Sequence, residues 1–412
     1  MMKLYFNIVL SICIIILCLC WSCKGGDNPS PSESFTVTPF DPLPVSKSNS
    51  QKWYVHYMPW FETPETNDGQ WGWHWTMNNK NPDRITDNRR EIASWYYPLI
   101  GPYASSDPDV LEYHLLLMKY AGIDGVWVDW YGLQDKNDLP GIKKNTDALF
   151  KAIEKTGLEF AIVYEDRFLE GSKGEMISLA RADMDYLQKN YFTKNYYTKI
   201  NGKPLLLIFG PAVLQDPGDW ENIFTIFTVR PAFFTLQDHI HTASTVASGE
   251  YMWVDARSPE DKYASASALP QFVGAAYPGY RDFYKEGGDG DGYNIYWDYN
   301  NGNLYKSLLE LGKSQSPQYL QLVTWNDFGE GTMIEPTVEF EYQFLTINQQ
   351  LAGVSYSDKE LKMIKRLYDL RKEWKGNSEQ NKRLDQAFYY LVSLQTDKAD
   401  GLLQEVETRA TK

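Results

Sequence analysis

The sequence predicts an α/β fold, a (β/α)8 TIM barrel with C-terminal helices packed on it. Three observations lead there. Short apolar runs alternate with helical patterns from residue 53 onward. Eight such runs precede Asn326, the number a closed barrel needs. No G-x-G-x-x-G follows an early strand, which removes the usual sign of an open dinucleotide-binding sheet.

Taken in order, Trp53–Met58, Gly125–Trp130, Glu159–Tyr164 and Pro204–Phe209 are short apolar runs of the kind that fill buried parallel strands. Ala232–Thr235, Tyr251–Val254 and Phe272–Ala276 continue the series, and Tyr319–Trp325 completes it. Asp107-Pro108 opens a helix that stops at Ala121-Gly122, with proline early and glycine just past the end. A second helix runs from Thr146 to Thr156 and is closed by Gly157. Beyond the barrel, Ser357-Asp358-Lys359-Glu360 is a capping box, with Tyr356 and Leu361 as its hydrophobic staple. That helix continues through Ile364, Leu367, Leu370 and Trp374, and another carries Leu384, Phe388, Leu391 and Val392. The division expected is a leader at 1–22, a polar tether at 23–50, the barrel at 51–350 and a helical extension at 351–412.

Lys3 followed by the uncharged apolar run Leu4–Cys20 reads as a signal peptide. Cys20-Trp21-Ser22-Cys23 resembles a bacterial lipoprotein box, which makes Cys23 the lipid-accepting residue; ordinary secretion with cleavage nearby is the alternative. The expected location is outside the cytoplasm and anchored to a membrane, at the outer membrane, the cell surface or in the periplasm. All four cysteines (Cys13, Cys18, Cys20, Cys23) lie in this leader. The remainder has no disulfide and relies on a large core. Asn28–Ser34 is Pro/Ser-rich and reads as tether. A net charge of −14 without a Lys/Arg block argues against nucleic acid. No cofactor or metal is expected: the histidines form no H-E-x-x-H, and Gly287–Gly292 lacks the distal glutamate of an EF-hand and reads as a loop over the barrel mouth. The chain is expected to be a monomer.

Catalytic groups of such a barrel belong at the C-terminal ends of strands. Asp129 ends one strand, Glu165 follows another, and Asp327 and Glu330 follow the last. Glycosidic cleavage needs two carboxyl groups, one to protonate the leaving oxygen and one to act as base or nucleophile. Apolar neighbours such as Trp325 and Phe328 would raise the pKa of Glu330 by desolvation, as an acid requires. The same residues also suit an Asx turn closed by Asp327 beside a solvated Glu330. Aromatic residues make up 15% of the chain, with 14 Trp and 29 Tyr, and aromatic faces stack on the C–H faces of sugars as well as packing large barrels. Trp71, Trp73 and Trp75, with His74 between them, form either a sugar-binding wall on a loop or one face of a strand.

The stretch Trp325-Asn326-Asp327-Phe328-Gly329-Glu330-Gly331-Thr332-Met333-Ile334-Glu335-Pro336 resembles the late active-site motif shared by glycoside hydrolase families 71 and 99. Val55-His56-Tyr57-Met58-Pro59-Trp60-Phe61 and Trp71–Met77 resemble their first strand and its loop. The resemblance runs from about Trp53 to about Phe344. It implies Glu330 as general acid with Asp327 as its partner. It also implies that Tyr57 and Trp60 contact the sugar, where barrel-core packing is the alternative. The glycan site is expected to include Trp71, Trp73, His74, Trp75, Trp130, Trp325, Asn326 and Glu335 as well, with Asp129 and Glu165 either binding hydroxyls or serving as structural hydrogen-bond acceptors. The implied substrate is an oligo- or polysaccharide with α-links, of α-mannan or α-1,3-glucan type, cleaved internally. Family 71 uses such an Asp and Glu as base and acid with inversion. Family 99 places a glutamate at the position of Asp327 and lets the sugar's own 2-hydroxyl attack, with net retention through an epoxide. A non-catalytic glycan-binding surface lipoprotein is the alternative.

Overall fold

The computed structural model describes residues 35–410 apart from 294 and 316. The leader, Cys23 and the Pro/Ser-rich run lie outside the described residues. Phe35 and Thr36 have no regular structure, and from Val37 on the chain forms one unit. Its centre is a closed barrel of eight parallel strands: β1 Lys52–Tyr57, β2 Gly125–Trp130, β3 Glu159–Tyr164, β4 Lys203–Ile208, β5 Ala232–Leu236, β6 Ala247–Tyr251, β7 Phe272–Ala276 and β8 Tyr319–Leu322. Each strand pairs with the next in chain order, and β8 returns to β1 with Lys52 opposite Tyr319 and Val55 opposite Leu322. Strands covered on both faces must be apolar along their length. Leu205–Ile208 and Val126–Val128 are accordingly buried throughout.

Two strands differ from expectation by more than one residue at an end. β6 occupies Ala247–Tyr251 rather than Tyr251–Val254, so Ser248, Gly249 and Glu250 are strand. The Glu250 carboxylate is tied up locally, accepting the backbone N–H of Asp238 at 3.1 Å and of Ile240 at 2.7 Å. Its charge therefore serves the preceding turn and conceals the strand from an apolarity pattern. β8 ends at Leu322, and Val323–Trp325 leave the regular ladder to carry the chain into the site.

The helices cover the barrel. They are α1 Pro108–Tyr120, α2 Leu139–Ile153, α3 Lys173–Asn190, α4 Pro217–Phe224, α5 Pro259–Ala266, α6 Asn303–Gln315 and α7 Gln343–Ala352. The Asp107 side chain caps α1 by accepting the Asp109 N–H. α2 starts at Leu139 rather than Thr146, because Pro140 is accommodated in its first turn, where no N–H is needed. Then come α8 Asp358–Glu373, α9 Ser378–Val392 and α10 Thr396–Ala410, the last not marked from the sequence. The capping box of α8 is formed, with Ser357 N donating to Glu360 Oε2 at 2.9 Å.

From Thr38 on, the segment read as tether belongs to this body, because its amides find partners there. Thr38 N donates to Gln386 Oε1 at 2.6 Å, Leu43 N to Val392 O at 3.0 Å and Asn49 N to Ala352 O at 3.0 Å. Arg371 ties α8 to its neighbours: its guanidinium is bidentate on Glu112 of α1 (3.1 and 2.9 Å) and reaches Asp385 of α9 at 2.6 Å. Arg371→Ala would leave the sheltered Glu112 carboxylate without its cation, so a loss of about 3 kcal/mol in urea unfolding is expected. A loss below about 1 kcal/mol would show that the pair does not hold α8 to the barrel.

Candidate active site

The site is built where β8 meets β1. The Asn326 side chain acts as a strand partner: its Oδ1 accepts Met58 N–H at 2.8 Å and its Nδ2 donates to Met58 O at 3.0 Å. A buried polar chain supports it. Asn326 Nδ2 donates to Tyr103 OH at 3.2 Å, and Tyr103 donates to Glu335 Oε2 at 2.6 Å. Glu335 Oε1 lies 3.1 Å from His114 Nε2, and His114 Nδ1 lies 3.1 Å from Tyr57 OH. Asp327, next in sequence, is therefore fixed at its backbone. Its N–H donates to Thr324 Oγ1 at 2.8 Å, and its Oδ1 accepts the Glu330 N–H at 2.9 Å. The Asx-type turn is thus present, and both side chains still face the cavity. Gly331 ends the turn at φ 70°, where a Cβ would come within 2.8 Å of Arg281 O.

The cavity measures about 700 Å³ and opens at the C-terminal ends of the strands. Asp327 and Glu330 share it with Asp129, Tyr131, Glu165 and Arg167. Trp60, Trp73 and His74 form one wall, with Trp60 and His74 stacked at 4.0 Å and 2° between planes. Tyr280, Tyr284, Tyr293, Phe168, Phe209 and Trp253 also line the cavity, together with His56 and Met58 of the first strand and its end. A larger groove of about 1300 Å³ runs along α1, α2 and α9, but its Glu112 and Asp147 are engaged by Arg371 and Lys143. At the barrel mouth, by contrast, four carboxyl groups converge on one cavity.

Burial dominates the electrostatics there. It pushes Asp327 up to about 7. Glu330 is held well above the carboxylate range, first by burial and then by the charge of Asp327, with Tyr284 OH donating to its Oε1 at 3.3 Å. Asp129 is raised to about 6 by burial, while Tyr131 OH donates to its Oδ2 at 2.9 Å. Glu165 is raised well above the usual range by burial and by Asp129, although Arg167 Nε pairs with it. In both carboxyl pairs, Asp327 with Glu330 and Asp129 with Glu165, burial opposes ionisation of both members at once.

Asp327, Glu330, Trp60, Trp73, His74, Asp129 and Glu165 are brought together as the sequence suggested. The remaining candidates lie off the cavity. Tyr57, Trp130 and Trp325 point outward from the barrel, Tyr57 and Trp325 toward His114 of α1 and Trp130 toward Tyr186 of α3. Strand side chains alternate, so where His56 and Asp129 point inward, Tyr57 and Trp130 cannot. Trp75 is core, packed on Phe61 and Phe328 with Nε1 donating to Tyr103 O at 2.8 Å. Trp71 donates to Asp83 under the Arg90 guanidinium. Asn326 and Glu335 hold the site from below. His56 was overlooked, although its two-residue offset from Met58 and its neighbour Asp129 could have flagged it. Tyr131, Arg167, Tyr280 and Tyr284 lie on connections that carry no periodic signal. The Gly287–Gly292 loop contributes Asp289, Asp291 and Gly292 to the rim.

The family model for glycosyl hydrolase family 99 matches residues 49–252. A glycoprotein endo-alpha-1,2-mannosidase-like protein of Danio rerio is 24% identical over 69% of this chain and 71% of its own length. The glycoprotein endo-alpha-1,2-mannosidase of Xenopus laevis is 20% identical over 76% of this chain and 79% of its own. This chain is a glycoside hydrolase, similar to family 99 over the matched residues. The fold agrees: the family 99 endo-alpha-mannosidase from Bacteroides thetaiotaomicron superposes with a TM-score of 0.58 at 22% identity, over 77% of this chain and 99% of that one. In this hydrolase the matched segment carries His56, Trp60, Asp129 and Glu165, whereas Asp327 and Glu330 lie beyond it.

The raised carboxyl pKa values have a sign that can be measured. A carboxyl whose folded pKa exceeds its unfolded value contributes stability that is full below the unfolded pKa and is lost as pH rises through the folded one. For Asp327 that window runs from the ordinary carboxylate range up to about 7. Asp327→Asn, which keeps the turn acceptor and removes the titration, is expected to gain in Tm relative to wild type as pH rises from about 5 to about 8. A Tm difference independent of pH would mean that Asp327 ionises as a solvated carboxylate.

Proposed function

We propose that this hydrolase cleaves internal α-mannosidic bonds of a glycan, with Glu330 as general acid and Asp327 as base. The observation that carries the proposal is that two carboxyl groups three residues apart, Asp327 and Glu330, both face one aromatic-walled cavity. Burial and the charge of Asp327 both favour the protonated form of Glu330, as a general acid requires, while Asp327, pushed up to about 7, can accept a proton near neutrality. The substrate class rests on the names of the relatives, endo-alpha-1,2-mannosidases and an endo-alpha-mannosidase. A cavity of about 700 Å³ between the Trp60/Trp73 wall and the tyrosines suits a stretch of chain rather than one terminal sugar. Asp327 is one methylene shorter than glutamate, which leaves room for a water between it and the anomeric carbon and favours inversion. We further propose that the protein is exported and held at a membrane through a lipid on Cys23.

Glu330→Gln and Asp327→Asn should each lower kcat on α-1,2-linked manno-oligosaccharides by about 100-fold or more, with folding retained. Wild-type rates from either variant would remove the pair from the mechanism. Proton NMR during hydrolysis should show the β-anomer first; α-anomer first would assign the 2-hydroxyl route. The pH profile of kcat/KM should rise as Asp327 ionises near 7 and fall again as Glu330 loses its proton. A profile already flat at pH 5 would exclude Asp327 as the base.

A further inference from the structure

His56 is the inward-facing residue of β1 that the proposed mechanism leaves unused. Its ring is 1% exposed, lies edge-on to Trp253 at 4.7 Å, and lines the cavity that holds Asp327 and Glu330. Its tautomer follows from its neighbours. Gln321 Nε2 donates to Met252 O at 3.2 Å, which turns the Gln321 oxygen toward His56 Nδ1, 3.4 Å away. Nδ1 therefore carries the hydrogen and Nε2 is a bare acceptor. Burial lowers the His56 pKa to about 3, so that state persists at working pH.

Nε2 faces a second acceptor. Asp129 Oδ1 lies 4.0 Å from it, and Asp129 is also 1% exposed. Among the described residues no N–H or hydroxyl donates to either atom. The Tyr131 hydroxyl is committed to the other oxygen, Oδ2. A carboxylate oxygen accepts two hydrogen bonds, so a proton shared between Asp129 and Glu165 leaves Oδ1 capacity for another donor. Two buried acceptors cannot satisfy each other, and leaving each unpaired costs about 1–3 kcal/mol. Adjacent ring hydroxyls, with one hydrogen each and oxygens about 2.8 Å apart, match such a pair. Trp253 and Phe209, packed edge to face at 4.9 Å, supply the apolar surface that the C–H face of the same ring needs.

We propose that His56 is a specificity-determining residue: its Nε2 and Asp129 Oδ1 together take the hydrogens of two neighbouring hydroxyls of a sugar ring seated beside Asp327 and Glu330. The inference rests on the α-mannosidic reading above. Its test is kcat/KM for an aryl α-manno-oligosaccharide and its monodeoxy analogues at each ring hydroxyl, in wild type, His56→Phe and His56→Gln. Wild type should lose about tenfold or more on removal of one hydroxyl of an adjacent pair. In His56→Phe the parent substrate should fall by a similar factor, and the penalty for that deoxy analogue should disappear. His56→Gln, which keeps an acceptor oxygen, should restore part of the discrimination, and it carries the comparison if His56→Phe fails to fold. Parent and analogues falling together in both variants would make His56 merely structural and overturn the inference while leaving the α-mannosidic reading standing. Failure of wild type to cleave the parent at all would overturn both.

Discussion

Asn326 does for the barrel what one more strand residue would do, and the chemistry hangs on it. The β8 ladder ends at Leu322, yet the Asn326 amide pairs with both polar groups of the Met58 backbone. A side chain thereby extends a main-chain sheet past the point where the backbone has turned away. Asp327 sits one bond further on, so the geometry of the proposed base is inherited from the closure of the barrel. The polar chain through Tyr103, Glu335, His114 and Tyr57 lies wholly inside, where each missing partner is expensive. That explains an arrangement that looks wasteful, with a carboxylate and an imidazole buried where no substrate reaches.

The other constraint is that eight strands deliver their ends to one small volume. Four carboxyl groups, Asp129, Glu165, Asp327 and Glu330, face one cavity with Arg167 among them. They cannot all be charged, since burial and mutual repulsion both favour protonation. Carboxyl groups that resist ionisation then need no special residue; they follow from crowding carboxyl groups against aromatic walls.

Much of this was legible in the chain. β2, β3 and β7 have the bounds that their apolar runs predict, because a strand covered on both faces leaves little choice of residue. β6 was misplaced because Glu250 satisfies a turn, and α10 went unread although Ala399, Leu403 and Val406 follow helical spacing. In the site, the acids were visible as strand-end carboxylates. Their aromatic company was only half visible. Trp130 and Trp325 flank inward residues in sequence and point outward in space, since a one-residue step on a strand reverses the side chain. Tyr280 and Tyr284 come from a long connection whose path no local pattern encodes.

The strand of chain from Thr38 to Asn49 has a mechanical meaning. It lies ahead of β1, and its amides are stitched to α7 and α9 through Leu43, Ser48 and Asn49, with Lys119 reaching the Leu43 carbonyl from α1. Tension entering from the N-terminal side meets these bonds first. They spread it over helices on the outside of the barrel before any reaches Lys52. The seam between β1 and β8, where Asn326 and Met58 keep the acids in register, is thus shielded from pull by the residues that lead into it.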